Sequence, residues 1–241
     1  MARAADYPPP FEAREFVAEP TDPVDARIEV GALVVGAGPA GLACAIRFGQ
    51  LLQGDPEAAA RMGDVPLMLI EKGKQPGSHL LSGAIVNPRS LQTLFGEGFR
   101  IEDVPGYGPV RKESVYILTP RRALRIPTPP PMRNHGNFIF SLSQLGRWLA
   151  SRAEEAGAMI LPETAAQKLL VSDGRVVGVR TGDKGRGPDG AELARFEPGS
   201  DIVAGVTVLA EGTQGHLTGA ALDHFGLRPE HPQVWELGVK E

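Results

Sequence analysis

Residues 36–41 read Gly-Ala-Gly-Pro-Ala-Gly, and their setting limits what the start of this chain can fold into. The apolar run before them, 28–35 (IEVGALVV), suits a buried parallel strand. Residues 39–52 (PAGLACAIRFGQLL) follow with apolar spacing near 3.6, which suits a helix packed on that strand. A glycine fingerprint alone says little. Between a strand and a helix it marks the phosphate-binding turn of a dinucleotide fold. Gly36 permits the tight turn, Gly38 lets backbone approach a pyrophosphate, and Gly41 lets the helix pack closely on the strand. Pro39 and Ala40 lie at the start of the helix, whose positive end faces the phosphates.

Residues 53–64 read as a polar excursion, and 65–70 (VPLMLI) as a second strand closed by Glu71, completing a βαβ unit. An acid at that strand end accepts hydrogen bonds from an adenosine ribose and repels a 2′-phosphate, which favours FAD or NAD over NADP. The usual interval is about 20 residues. Here Glu71 stands 30 residues beyond Gly41, and an insertion at 53–64 accounts for the excess. Lys72 follows the acid, then a glycine-rich stretch runs to Ala84.

The texture then changes. A short helix is expected at 88–95, strand-like pieces at 114–118 and 123–127, and another strand at 138–140. Residues 142–156 form an amphipathic helix stopped by Gly157, with Trp148 and Leu149 on its core side. Strands are expected at 159–161, 166–171 and 175–181, the last two joined by a hairpin turn at Ser172-Asp173-Gly174. Residues 182–201 read as a charged loop, and 202–210 (IVAGVTVLA) as a late buried strand followed by Glu211-Gly212. An NAD-only domain would continue in alternating βα units. A meander of short strands followed by one late buried strand instead suits a flavoprotein. The expected fold is α/β: a Rossmann-like dinucleotide-binding domain (28–98 and 142–218), interrupted by a smaller, mainly antiparallel β domain (99–141 and 219–241) and preceded by an extended arm (1–27).

Composition narrows the function. A net charge of −4 argues against nucleic-acid binding. No run approaches the about 20 apolar residues of a spanning helix, and the proline-rich start lacks a secretory h-region. Cys44, the single cysteine, is expected to be a buried helix residue in a reducing compartment. It cannot supply the four thiolates of an iron–sulfur cluster. No spacing suggests a metal site or a nucleophile triad, so no catalytic side chain is assigned. The basic set Arg111, Lys112, Arg121, Arg122 and Arg125 reads first as a solvated face, and alternatively as a patch that meets an acidic partner or anionic lipid.

Three further stretches, 79–88 (HLLSGAIVNP), 132–138 (MRNHGNF) and 210–217 (AEGTQGHL), follow LVVGAGPAG at 33–41 and Glu71-Lys72-Gly73. Together with the terminal Gly238-Val239-Lys240-Glu241, the chain resembles the N-terminal portion of electron transfer flavoprotein–ubiquinone oxidoreductase. The resemblance implies a glutathione-reductase-type fold with FAD, which takes electrons singly from electron transfer flavoprotein and passes them to a membrane quinone. It implies a [4Fe–4S] cluster and a closing FAD segment outside this chain. Peripheral membrane contact is expected through parts that the chain lacks. The expected location is the cytoplasmic side of a bacterial inner membrane, or the mitochondrial inner membrane in a eukaryote. Carried over residue by residue, Gly36, Gly38, Pro39, Ala40 and Gly41 match the pyrophosphate loop, and Glu71 and Lys72 the ribose end. Ser82, Gly83 and Ala84 match a loop near the isoalloxazine, with His79 beside it, and Glu211 and Gly212 match the turn after the late strand. Rival readings are another flavin enzyme of this fold, such as a prenyl reductase or aromatic hydroxylase, and a fragment without turnover. His135 is read as a turn residue or a flavin- or quinone-side group, His216 as structural, and His224 and His231 as having no constellation.

Overall fold

A computed structural model of the chain describes residues 12–80, 83–187, 189–227 and 230–231. In chain order the strands and helices are β1 (Val17–Ala18), β2 (Ile28–Val35), α1 (Pro39–Gln53), α2 (Pro56–Arg61), β3 (Leu67–Ile70), β4 (Ala84–Val86) and α3 (Arg89–Phe95). Then come β5 (Tyr107–Pro109), β6 (Val115–Leu118), β7 (Ala123–Ile126), β8 (Phe138–Phe140), α4 (Leu142–Glu155) and β9 (Met159–Leu161). The remainder is β10 (Ala166–Ser172), β11 (Arg175–Thr181), β12 (Lys184–Arg186), β13 (Glu192–Glu197), β14 (Asp201–Leu209) and α5 (His216–His224).

The main sheet runs β1-β10-β11-β14-β2-β3-β9, and its half β14-β2-β3-β9 is parallel throughout. Residues 32–35 of β2 and all of β3 are buried on both faces, as strands of a parallel sheet covered on both sides must be. On one face α1 and α4 cover the sheet, with Leu42, Ile46 and Leu149 packed over Ala32, Val34, Leu67 and Leu69. On the other, β10, β11 and α5 enclose Leu33, Val35, Ile70, Leu169, Val179 and Leu217. The alternation of β2 and β14 changes phase at Gly31 and Gly205, since Val30 and Ala204 share a core with Leu33 and Leu209 rather than with Ala32 and Val208. A Cβ on Gly31 would lie 2.6 Å from the Met62 carbonyl oxygen, so no larger residue fits where the strands cross over.

A second sheet, β4-β8-β5, is antiparallel, and the β6–β7 hairpin stands apart as a two-stranded sheet. The expected architecture, a parallel dinucleotide sheet interrupted by small antiparallel β elements, is therefore present. Several local expectations change. The loop expected at 182–201 contains the β12–β13 hairpin, with Arg186 lying over the Phe196 ring. The polar excursion at 53–64 contains α2, capped by Asp55, which accepts from the Ala58 N–H at 2.9 Å. β3 begins at Leu67 rather than at 65, although the carbonyls of Val65 and Pro66 already accept from Gly31 and Ala32. Part of the arm is built into the fold: β1 pairs with β10, and the 3-10 turn Ala13–Phe16 packs against α5. α5, which begins at His216, was not anticipated, and it spans the expected boundary at 218/219. Cys44 is half-buried rather than buried. The terminal stretch 238–241 lies outside the described residues.

Candidate functional site

The site is built where the C-terminal ends of β2, β3 and β14 meet, and its three glycines do different work. Gly36 has φ +105°, and its N–H donates to the Ile70 carbonyl at 2.9 Å. A Cβ there would strike the Ala210 carbonyl oxygen, so this glycine is fixed by backbone against backbone. A Cβ on Gly41 would run into the Gly36 carbonyl oxygen, so Gly41 is fixed by helix-to-strand contact. Gly38 is different: it caps α1 with φ −76°, and a Cβ there meets nothing within 4 Å. Neither the fold nor the backbone conformation requires glycine at 38. What its absent side chain leaves open is the space at the positive end of α1. Pro39 and Ala40 are exposed on that same first turn.

Glu71 is mostly buried, with a side chain 13% exposed, and it is held at both oxygens. Oε2 accepts from the Ala37 N–H at 2.9 Å, and Oε1 from the Gly73 N–H at 2.7 Å. Its main chain is held too: the Glu71 N–H donates to the Leu161 carbonyl, and its own carbonyl accepts from Thr164. The carboxylate therefore ties the glycine loop to the end of β3 while each oxygen keeps lone-pair capacity for a further donor. That is the chemistry a ribose diol requires. Lys72 is exposed beside it. His79 lies here as well, its Nδ1 3.6 Å from Glu71 Oε1.

Glu211 serves a different end. Its carboxylate accepts from the Thr218 N–H at 2.7 Å, the Thr218 hydroxyl at 2.8 Å and the Leu217 N–H at 3.3 Å, so it caps α5 from four residues before the N-cap Gly215. His216 Nδ1 stands 3.5 Å from the same carboxylate, and its ring packs edge-on against Phe16. Gly212 turns the chain at φ +82° with open space around it. The link from this turn to the glycine loop is backbone: Ala210 N–H donates to the Val35 carbonyl at 2.8 Å, directly beneath Gly36. Gly83 (φ +87°) and Ala84 open β4, where Ala84 pairs with Phe140. Ser82 lies outside the described residues. His135 is exposed on a turn whose Asn134 N–H donates to Glu113 Oε2 at 2.6 Å and whose Asn137 N–H donates to the Asn134 carbonyl. His224 packs on the Phe225 ring. Among the described residues no group of three His, Cys, Asp or Glu side chains is placed to hold a metal.

The site residues read from the sequence omit Ala37 and Thr164, which contribute only main-chain groups and so leave no signature in residue type, and Gly73, which gives Glu71 an N–H and His79 the room of a missing side chain. They also omit Thr218, whose hydroxyl and N–H share Glu211.

No family model matches the chain. Curated relatives do. The chain is 40% identical over 211 residues to the mitochondrial electron transfer flavoprotein-ubiquinone oxidoreductase of Dictyostelium discoideum, covering 87% of this chain and 34% of that protein. The bovine mitochondrial protein is 40% identical over 217 residues, and a probable one from Acinetobacter baylyi 37% over 220 residues, covering 88% and 89% of this chain and 34% and 38% of theirs. These three relatives carry the name electron transfer flavoprotein-ubiquinone oxidoreductase. The chain spans about a third of their length, and the resemblance carried by its motifs extends along most of its own. Among solved structures it is similar to AlpK (TM-score 0.51, 17% identity, 80% of this chain and 33% of that one) and to the flavin-dependent brominase Bmp2 (TM-score 0.50, 16% identity, 83% and 41%). At those identities the likeness is one of fold.

Proposed function

We propose that this chain holds the adenosine half of FAD for an oxidoreductase that passes electrons from reduced electron transfer flavoprotein to a membrane quinone. One observation carries the reading: Gly38 leaves open space at the start of α1 while Glu71, bonded to the Ala37 N–H, waits at the neighbouring strand end. Only a ligand that brings a pyrophosphate and a ribose diol together uses both features. The names of the relatives support the donor and the acceptor.

The residues divide the work. The first turn of α1, with Gly36, Gly38, Pro39, Ala40 and Gly41, faces the phosphates and offsets their charge. Glu71 orients the ribose, and Lys72 stands beside it. The turn at Glu211 and Gly212 closes the site from β14, through main chain at Ala210 and through the fixed start of α5. Gly83 and Ala84 lead into β4 of the second sheet, and glycine backbone there would approach the ring. Bound FAD supplies the one-electron chemistry, and the protein contributes binding, orientation and electrostatics.

The β6–β7 hairpin supports the membrane side of this reading. Leu118 is 77% exposed, Tyr116, Ile117 and Leu124 are exposed beside it, and Arg121, Arg122 and Arg125 flank them. Apolar side chains set among cations suit an anionic lipid interface. Among the described residues no helix is long and apolar enough to cross a membrane. A peripheral attachment to the quinone-bearing membrane, involving this hairpin, fits that arrangement.

The test is stopped-flow mixing of photoreduced electron transfer flavoprotein with the FAD-loaded product of the full open reading frame, using a soluble quinone as acceptor. Quinone-dependent oxidation of the donor is expected. Reduction by a nicotinamide coenzyme with no response to electron transfer flavoprotein would overturn the assignment.

A further inference from the structure

We infer that His79 is a positioning residue for the Glu71 carboxylate, and that its protonation weakens the adenosine half-site. The inference rests on the reading above, in which Glu71 takes the ribose hydroxyls. Sequence position suggested a place for His79 near the flavin ring. The structure puts its imidazole at the other end, with Nδ1 3.6 Å from Glu71 Oε1, just beyond hydrogen-bond range.

The approach depends on Gly73. A Cβ on that residue would lie 3.0 Å from His79 Cε1, 3.1 Å from His79 Nδ1 and 3.1 Å from Glu71 Oε1. The glycine thus vacates the space in which imidazole and carboxylate face one another, and its own N–H donates to the same Oε1. Each Glu71 oxygen already accepts one main-chain N–H, so each has one good direction left for the ribose. A charged imidazole closing the last few tenths of an ångström would claim the remaining direction on Oε1. A charge-assisted bond of that kind is stronger than one from a neutral hydroxyl. The acceptor lost to the ribose then lowers affinity.

Other charged groups lie around the imidazole. Lys72 and Lys74 are exposed on its own loop, and Glu163 is exposed on the β9–β10 connection, where its N–H donates to the Gly73 carbonyl.

Isothermal titration of FAD into the chain at pH 7.5 and pH 5.5 tests the idea. Binding weaker by about threefold to tenfold at the lower pH is expected, the range that one lost hydrogen bond gives. His79→Gln, a side chain that does not titrate, should flatten that dependence. A His79→Gln profile parallel to that of the unaltered chain, or tighter binding at pH 5.5, overturns the inference. Should the unaltered chain bind no FAD at either pH, the cofactor reading itself fails, and a second measurement still decides the coupling. In that measurement the His79 Cε1–H resonance is followed through pH in the unaltered chain and in Glu71→Gln. A midpoint lowered by the loss of the carboxylate supports the contact, and an unchanged midpoint overturns it.

Discussion

Asp201 should govern the acid stability of this fold. It opens β14, is fully buried, and its carboxylate accepts from the N–H groups of Thr21 at 2.8 Å and Asp22 at 3.0 Å. Arg180 completes the set, with Nε at 2.8 Å and Nη2 at 2.7 Å from Oδ1. In return the Asp201 N–H donates to Asp22 Oδ2 at 2.7 Å, and Arg180 reaches the Thr21 hydroxyl. The cluster ties the segment before β2 to the paired ends of β11 and β14. Burial pushes the Asp201 carboxyl up, but the Asp22 and Thr21 N–H groups and the Arg180 guanidinium outweigh it and hold it below the usual carboxylate value. Asp201→Ala leaves two N–H groups without their acceptor and the largely buried guanidinium with only Asp22, 3.5 Å away, and the Thr21 hydroxyl, a loss of about 3–5 kcal/mol. For a chain of this size each kcal/mol moves the melting point by about 2–4 °C, so Tm should fall by roughly 6–20 °C. Asp201→Asn keeps the shape and loses the charge, which costs about 1.5–3 kcal/mol. The sign with pH follows from the lowered folded value. The contribution is complete above the unfolded carboxyl pKa of about 3.9 and disappears as pH falls through the folded one. Thermal melts from pH 7 to pH 2 should show a constant gap between the unaltered chain and Asp201→Asn above about pH 5, closing in acid. An Asp201→Ala melting point within about 2 °C of the unaltered chain at pH 7, or a gap that persists undiminished in acid, would refute the reasoning.

Glu71→Gln should weaken FAD about tenfold, measured by fluorescence titration, and should lose less stability than Glu71→Ala, because its amide oxygen still accepts from one of the two N–H groups that Glu71 holds. Glu71→Ala should also lower stability by about 1–3 kcal/mol in urea melts, because the Ala37 and Gly73 N–H groups lose their acceptor; equal stability of the two variants would contradict this. Glu211→Ala removes the cap of α5 and should cost about 0.5–2 kcal/mol, seen as a lower melting point and faster amide exchange at 217–220. Ile117→Ser with Leu118→Ser should reduce sedimentation with anionic vesicles while leaving the melting point unchanged, since both side chains are exposed; undiminished sedimentation would exclude the hairpin from the lipid contact.

Legibility followed periodicity and backbone chemistry. β2 and α1 could be read because an eight-residue, mostly apolar strand, a glycine turn and a 3.6-residue repeat all agree on one unit. The β10–β11 hairpin could be read because Asp173 and Gly174, at φ +50° and +70°, are residue types that accept that turn. α5 escaped because Gly219 interrupts a short run, and its cap comes from Glu211 rather than from a residue at the N-cap itself. β12 and β13 escaped because mostly exposed charged strands carry no inward face to count. At the site, the residue types announced the glycine loop and Glu71. The main-chain donors at Ala37 and Gly73, and the face-to-face placement of Glu71 and His79, depend on folding and leave no trace in residue type. The role of Asp201 stayed hidden for the same reason, since its partners at 21 and 22 lie 180 and 179 residues away.

The most direct test of the central claim is equilibrium titration of FAD into the chain and into Gly38→Val, with circular dichroism and melting curves on both. Because a Cβ at Gly38 meets nothing within 4 Å and the backbone there is ordinary for any residue, the variant should fold and melt like the unaltered chain. The unaltered chain should bind FAD, and Gly38→Val should lose at least about a hundredfold in affinity, since the added side chain would occupy the proposed pyrophosphate position. Equal affinity in the two, or no binding by the unaltered chain, would contradict the assignment of this loop as the pyrophosphate site.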